Sequence, residues 1–183
     1  MGSTESSKSR LKKFNFSGPI YFCENFVNTD VMAPGRFDPI YDEEELAKIA
    51  LIDYEGVEPF VDSAKNRSRF RIIVAGDDFG CGSSRETAPM AIAAAGVNVI
   101  AARSFGRIFF RNCINMGEIL PLTIDHSLDK KIHGLEAKMS IEDNKITLGS
   151  ASFEINPSTI VQEILSYGGL GKLIIANNGM RLL

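Results

Sequence analysis

Residues 76–89, GDDFGCGSSRETAP, gather three glycines, two hydroxyls and a guanidinium where an apolar run stops and a helix-like run starts. Gly76, Gly80 and Gly82 permit positive φ and close approach by another body. Ser83 and Ser84 offer hydroxyls, and Arg85 brings a planar fork that matches a carboxylate or phosphate bidentately. Amides freed at a helix start favour an anion at the same place. Ser83 and Glu86 have the spacing of a capping box, but a helix capped at Ser83 would place Pro89 too deep. The expected geometry is therefore a bent opening: one turn over 83–86, then a helix capped near Thr87 with Pro89 in its first turn. Two readings accommodate these residues, a tight capped turn with a solvent-facing arginine and a small-anion pocket that another body completes. A dinucleotide is disfavoured, since G-x-G-x-x-G is absent and no acidic residue ends a following strand to hold a ribose; the GKS/GKT ending of a P-loop is absent too. No histidine lies nearby in sequence to make either serine a triad nucleophile.

Other polar residues carry weaker chemistry. In ENFVNTDVMAPGRF (24–37), Asn25, Asn28 and Asp30 are suited to bonding nearby backbone groups, and Pro34-Gly35 punctuates the run. Arg103, Arg107 and Arg111 recur every four residues, a basic stripe if helical, either facing solvent or a partner or contributing to substrate binding and active-site closure. Cys23, Cys81 and Cys113 are too widely spaced for a local metal or iron–sulfur cage. Their odd number and irregular spacing also argue against a disulfide framework. Cys81 reads most simply as a small, partly buried thiol and Cys113 as a core residue. Only two histidines exist, His126 and His133, both in a polar connection, and neither receives a role. Metal chemistry would have to borrow its ligands from another chain, so no metal site is assigned here.

The elements that must position the corner follow from periodicity. A strand over 20–23 precedes the Asn/Asp turns, and YDEEELAKIALID reads as a short helix with acidic residues at its dipole-favoured end. EGVEPFVDSAKNRSR reads as a loop. RFRIIVAG and VNVIAA (97–102) are apolar runs suited to doubly covered strands, separated by the helix at 87–95. Strand, helix and strand in that order predict a parallel crossover. A second helix is expected over 104–117 with Gly117 as its stop, then a strand in EILPL. KMSIEDNKITLGSASFEI reads as two or three short strands with a turn at Asp143-Asn144. NPSTIVQEILSYGG reads as a helix with Asn156 as cap, Pro157 in first position and Gly168-Gly169 as terminator.

The chain has 183 residues, 44% hydrophobic and 23% charged, an ordinary soluble composition for one domain with a sizeable core. Its net charge of −3 and lack of a basic stretch give no electrostatic case for nucleic acid. No apolar run approaches the ~20 residues of a membrane span, so no membrane association is expected. The polar start lacks a secretory signal. Residues 1–17 are expected as a flexible tail, 18–183 as the domain, and the cytoplasm as its location.

Three segments occur in order: NTDVMAPGRF (28–37), GDDFGCGSSRETAP (76–89) and SFGRIFFRNCINMGEILPL (104–122). Together they resemble the small subunit of 3-isopropylmalate dehydratase, the detached swivelling domain of the aconitase superfamily, over a stretch from about Gly18 to the C-terminal helix. The resemblance implies an α/β fold, a three-layer β/β/α swivelling domain with a partly parallel central sheet. It implies a large partner subunit carrying a [4Fe–4S] cluster, whose open iron takes the hydroxyl and a carboxylate of a small hydroxy-dicarboxylate as a Lewis acid. The implied reaction interconverts 2-isopropylmalate and 3-isopropylmalate by dehydration and rehydration, a step of leucine biosynthesis. By the same resemblance Ser83 exchanges the proton next to a carboxylate, and Ser84 and Arg85 bind substrate carboxylate. Thr29 and Asp30 match a threonine–aspartate pair near the cluster entrance, Asp30 catalytic and Thr29 substrate-binding. Arg36 lies in the variable loop that helps choose the substrate side chain: an inward arginine would favour a third carboxylate, whereas Phe37 and Ile40 would favour an alkyl group. Two positions depart from the family pattern, Thr87 where SSREHAP has histidine, and ENFVNTD where DNIDTD is more usual. Homoaconitase, methylmalate and dimethylmalate dehydratase small subunits are alternatives within the class. A stand-alone small-anion-binding or regulatory domain is the alternative of another class, and the isolated chain could self-associate.

Overall fold

The first long strand, β1 (Phe16–Cys23), carries two burial patterns: partial exposure in its first half, complete burial in its second. The computed structural model, which describes residues 10–177, explains both. Phe16, Ser17, Gly18 and Pro19 pair antiparallel with β5 (Glu136–Ser140). Ile20, Tyr21, Phe22 and Cys23 pair parallel with β2 (Ile72–Ala75). β3 (Val99–Ala102) and β4 (Leu120–Thr123) continue the parallel side. β6 (Lys145–Leu148) and β7 (Ala151–Glu154) continue the antiparallel side. The result is a seven-stranded sheet of order β4-β3-β2-β1-β5-β6-β7.

Side-chain alternation along the parallel strands divides them between two cores. Tyr21, Cys23, Ile73, Ala75, Ile100 and Ala102 pack with α2 (Glu43–Ile49), α3 (Thr87–Ala94) and α4 (Arg107–Met116). Ile20, Ile72, Val74, Val99 and Leu120 pack with Ala137, Met139, Ile146 and Leu148 of the antiparallel half. The curled sheet thus supplies two layers and the helices a third, an α/β architecture of the β/β/α kind. Every residue of β2 and of β3 is buried, as a strand covered on both faces must be. The expected crossover β2–α3–β3 is present and parallel.

Local chemistry sets the helix ends. Asp42 caps α2 by accepting from the amides of Glu44 and Glu45, with three glutamates in the first turn. Gly117 closes α4 in the left-handed conformation (φ 72°). The last long helix, α5 (Thr159–Tyr167), starts later than the sequence predicts: Ser158, not Asn156, stands at its cap, and Pro157 lies outside it. There the Pro157 carbonyl accepts from the Gln162 side chain at 2.8 Å, while the Ser158 carbonyl takes the first helical bond, from the Gln162 amide. Gly168 (φ 77°) ends α5 as expected, but the chain turns at Gly169 (φ 118°) into an unforeseen helix, α6 (Leu170–Ala176). The short four-residue α1 (Thr29–Met32) also escaped the sequence reading.

The N-terminal boundary also differs. Lys12–Phe14 form a 3₁₀ turn, Phe14 is fully buried, and Lys13 Nζ reaches Glu118 at 2.9 Å. Residues 10–17 therefore belong to the domain rather than to a tail, because Phe14 and Phe16 complete the core between the two halves of the sheet. The remainder of the expected tail, residues 1–9, lies outside the described residues.

Candidate active site

β1, β2 and β3 all end on one edge of the parallel sheet, the edge where open α/β sheets commonly bind ligands. Their exit turns are laced together by backbone and short side chains. Asn25 Oδ1 accepts from the Asp77 amide at 2.8 Å. The Phe26 amide donates to Asp77 (2.7 Å), Gly80 to Val27 (2.8 Å), Thr29 to Cys81 (2.9 Å) and Gly106 to Phe79 (3.0 Å). Ser104 Oγ accepts from the Asp78 amide at 2.8 Å. The approach needs glycine at two points. Gly82 has φ 91°, and a Cβ there would lie 2.3 Å from Asn28 Oδ1; a Cβ on Gly80 (φ 80°) would lie 2.2 Å from the Phe109 ring.

On this frame α1 sets the first functional pair. Asn28 caps it, its Oδ1 accepting from the Asp30 amide at 2.8 Å. Thr29, only 1% exposed, donates from Oγ1 to the Ser83 carbonyl at 3.0 Å. Asp30 stays exposed and accepts from Arg85 Nε at 2.8 Å, while Arg85 Nη1 donates to Asp38 Oδ2 at 2.9 Å. Residues 29–30 and 83–85, 55 positions apart at the Asp30–Arg85 contact, are thereby one constellation. Ser83 and Ser84 are exposed.

The bend differs from the expected one. No helical turn forms over 83–86, Glu86 stands before α3 without a side-chain cap bond, and Thr87 is the first helical residue rather than the cap. The segment is pinned from outside: Thr29 claims the Ser83 carbonyl and two aspartates claim Arg85, so it cannot wind upon itself. Pro89 does fall in the first turn, where its missing N–H is harmless. Thr87 Oγ1 is buried without a hydrogen-bond partner among the described residues.

Arg36 is not brought to the corner. Both its terminal nitrogens bond Asp53, Nη2 to Oδ1 at 2.6 Å, and its guanidinium lies 4.6 Å from the Phe37 ring centroid. That bond holds the Asp53 carboxyl below its ordinary pKa. Phe37 and Ile40 are partly buried and pack against the core. Asp38 escaped sequence reading, because nothing local marks a loop aspartate whose partner is 47 residues away. Arg103 precedes α4 and pairs with Asp77 at 3.3 Å, so the three arginines do not form one helical stripe.

Burial, then the Asp78 carboxylate, pushes the Cys81 thiol pKa up, which disfavours a nucleophilic thiolate. Cys23 and Cys113 are buried and shifted the same way by desolvation. Among the described residues no group of three or more His, Cys, Asp or Glu could hold a metal ion, so the side chains present do not fit a cluster. The corner offers an arginine whose Nη2 takes no hydrogen bond among the described residues, next to an exposed serine hydroxyl. It can hold a small carboxylate, but open to water it cannot stabilise a serine alkoxide without a cover.

Comparison with known proteins identifies the family. Residues 32–127 match the aconitase C-terminal domain. The 3-isopropylmalate dehydratase small subunit of Syntrophus aciditrophicus is 37% identical over 167 residues, covering 89% of this chain and 98% of that protein. Its counterpart in Methanosarcina mazei is 42% identical over 148 residues, 79% of this chain and 86% of that protein. The crystal structure of 3-isopropylmalate dehydratase from Methanocaldococcus jannaschii superposes with a TM-score of 0.72 at 30% identity, covering 88% of this chain and 94% of that one. On sequence and fold together, the chain belongs to the 3-isopropylmalate dehydratase small-subunit family of the aconitase superfamily.

Proposed function

We propose that the chain is the small subunit of a hydro-lyase that interconverts 2-isopropylmalate and 3-isopropylmalate, in leucine biosynthesis, and is active only with a large subunit. The observation that carries this reading is the convergence of Thr29, Asp30, Ser83 and Arg85 on one edge of the parallel sheet, where Asp30, Ser83 and Ser84 are exposed. A [4Fe–4S] cluster, assigned to the large subunit, supplies Lewis acidity toward the substrate hydroxyl. This chain's residues do the rest of the positioning. Arg85 and Ser84 hold a substrate carboxylate, Asp30 steadies the Arg85 fork at Nε, and Ser83 exchanges the proton on the adjacent carbon. Thr29 fixes the Ser83 backbone so that its hydroxyl is presented rather than turned inward. Closure against the large subunit excludes water and makes the developing charge on Ser83 bearable.

Coexpression with a cluster-bearing large subunit, followed by turnover assays on a panel of 2-hydroxy diacids, tests the proposal. Activity with 2-isopropylmalate in the assembled pair, and none in either subunit alone, is the expected result. Turnover by this chain alone would refute the division of labour, and an inactive pair that assembles fully would favour a binding or regulatory role.

A further inference from the structure

We propose that Phe26 is an anchor by which this chain docks on its large subunit, the phenyl ring entering an apolar pocket of that partner; this rests on the reading that the chain works beside a large subunit. Two observations single the residue out. Its backbone is left-handed (φ 58°), a conformation that is strained for a bulky side chain. The residue is 65% exposed and joins none of the three hydrophobic cores among the described residues. Leu51 makes the contrast: it has the same backbone (φ 53°) but is only 2% exposed, so burial offsets its strain. Phe26 has no such compensation within the described chain, and strain kept without an internal return marks a residue used in contact with something else.

The turn that imposes this conformation does not need the ring. The Phe26 amide donates to the Asp77 carbonyl at 2.7 Å, the Asp77 amide to Asn25 Oδ1 at 2.8 Å, and the Gly80 amide to the Val27 carbonyl at 2.8 Å. These bonds lock the exit of β1 to that of β2 whatever residue stands at 26, and they set the ring on the sheet edge just before α1 and Asp30. Phe26 lines a hollow of about 580 Å³ whose rim carries Glu24, Asp129, Arg103 and Lys130. Arg103 is already paired with Asp77 at 3.3 Å, so the hollow is not built for an anion. An exposed aromatic among charges of both signs has instead the anatomy of a protein interface: the ring supplies the buried centre, and the charges a rim that excludes water. The occupant is the large subunit because Phe26 shares one edge with Asp30, Ser83 and Arg85, and a body that closes on those groups meets the ring in the same approach.

The test measures the Kd between this chain and its large subunit, and the Tm of this chain alone. Phe26→Asn suits both, because asparagine accepts a left-handed backbone while removing the ring. It should weaken association by roughly thirtyfold and leave Tm no lower than in the wild-type chain. At saturating concentrations of the variant, kcat should stay within about twofold of wild type. Phe26→Tyr, which keeps the ring, should bind within about threefold of wild type. An unchanged Kd in Phe26→Asn overturns the proposal, as does a fall in its Tm, because Phe26 would then serve its own fold. Loss of a wild-type homodimer, seen by sedimentation, with the Kd for the large subunit unmoved also overturns it, since the occupant would then be a second copy. Association that depends on Phe26 without any dehydratase turnover sustains the anchor and removes the proposed reaction. Turnover by a pair whose Kd ignores Phe26 does the reverse.

Discussion

Ser83 is exposed while its carbonyl is tied down by Thr29, so backbone position and side-chain chemistry are separable at this residue. Ser83→Ala keeps the carbonyl contact and buries nothing new. Its stability should stay within about 0.5 kcal/mol of wild type, while kcat of the assembled pair falls by about 10²–10⁴-fold. Thermal unfolding and steady-state kinetics on the same sample check both halves. The serines and Arg85 draw notice in sequence because glycines, hydroxyls and an arginine gather at a helix start, a pattern that fits a capped turn as well as an anion pocket. Asp38 was not legible, since only the folded loop reveals its partner. Arg36 is a different case: the resemblance places it in a substrate-choosing loop, and in the structure it pairs with Asp53, 17 positions on.

At the level of elements, the corner depends on three exit turns meeting at near-contact distance. Gly82→Ala would set a Cβ 2.3 Å from Asn28 Oδ1 at a φ of 91°. It should cost about 1–3 kcal/mol, and, by pushing Asn28 off the Asp30 amide, lower activity more than stability. Urea midpoints compared with kcat/KM would show the excess loss. The strands and the β2–α3–β3 crossover were legible from uninterrupted apolar runs, which only doubly covered strands tolerate. The bend at 83–86 was misread because its shape comes from contacts across the chain, through Thr29, Asp30 and Asp38, that no capping rule contains. Helix α6 was hidden by its own start: Gly168-Gly169 reads as a terminator and serves as a hinge between two helices.

For the whole molecule, two clamps join distant parts of the chain. Phe14 anchors the segment before β1 with no exposed surface, so Phe14→Ala should destabilise by about 3–5 kcal/mol, measurable by urea unfolding. The second clamp holds the loop after α2 to the segment before β5. His133 Nδ1 accepts from the Phe22 amide at 3.2 Å, and Nε2 lies 3.0 Å from Glu58. The His133 bond, and after it the Arg69 bond, keep the Glu58 carboxyl below its ordinary pKa. Its stabilisation is therefore complete above the unfolded value of about 4.3 and disappears as pH falls through the lowered folded value. Glu58→Gln should be less stable than wild type near neutrality, and the gap should close below about pH 4; urea midpoints across pH report it. The clamp was illegible in sequence because His133 sits in a polar connection that marks no partner. One last consequence follows from β1, whose eight residues serve both halves of the sheet. Neither half can melt while the other persists, since each would strip the spine from its neighbour. Amides in β2 and in β5 should accordingly exchange with solvent through the same global opening, and the domain can swing against a partner as a stiff lever rather than bend in its middle.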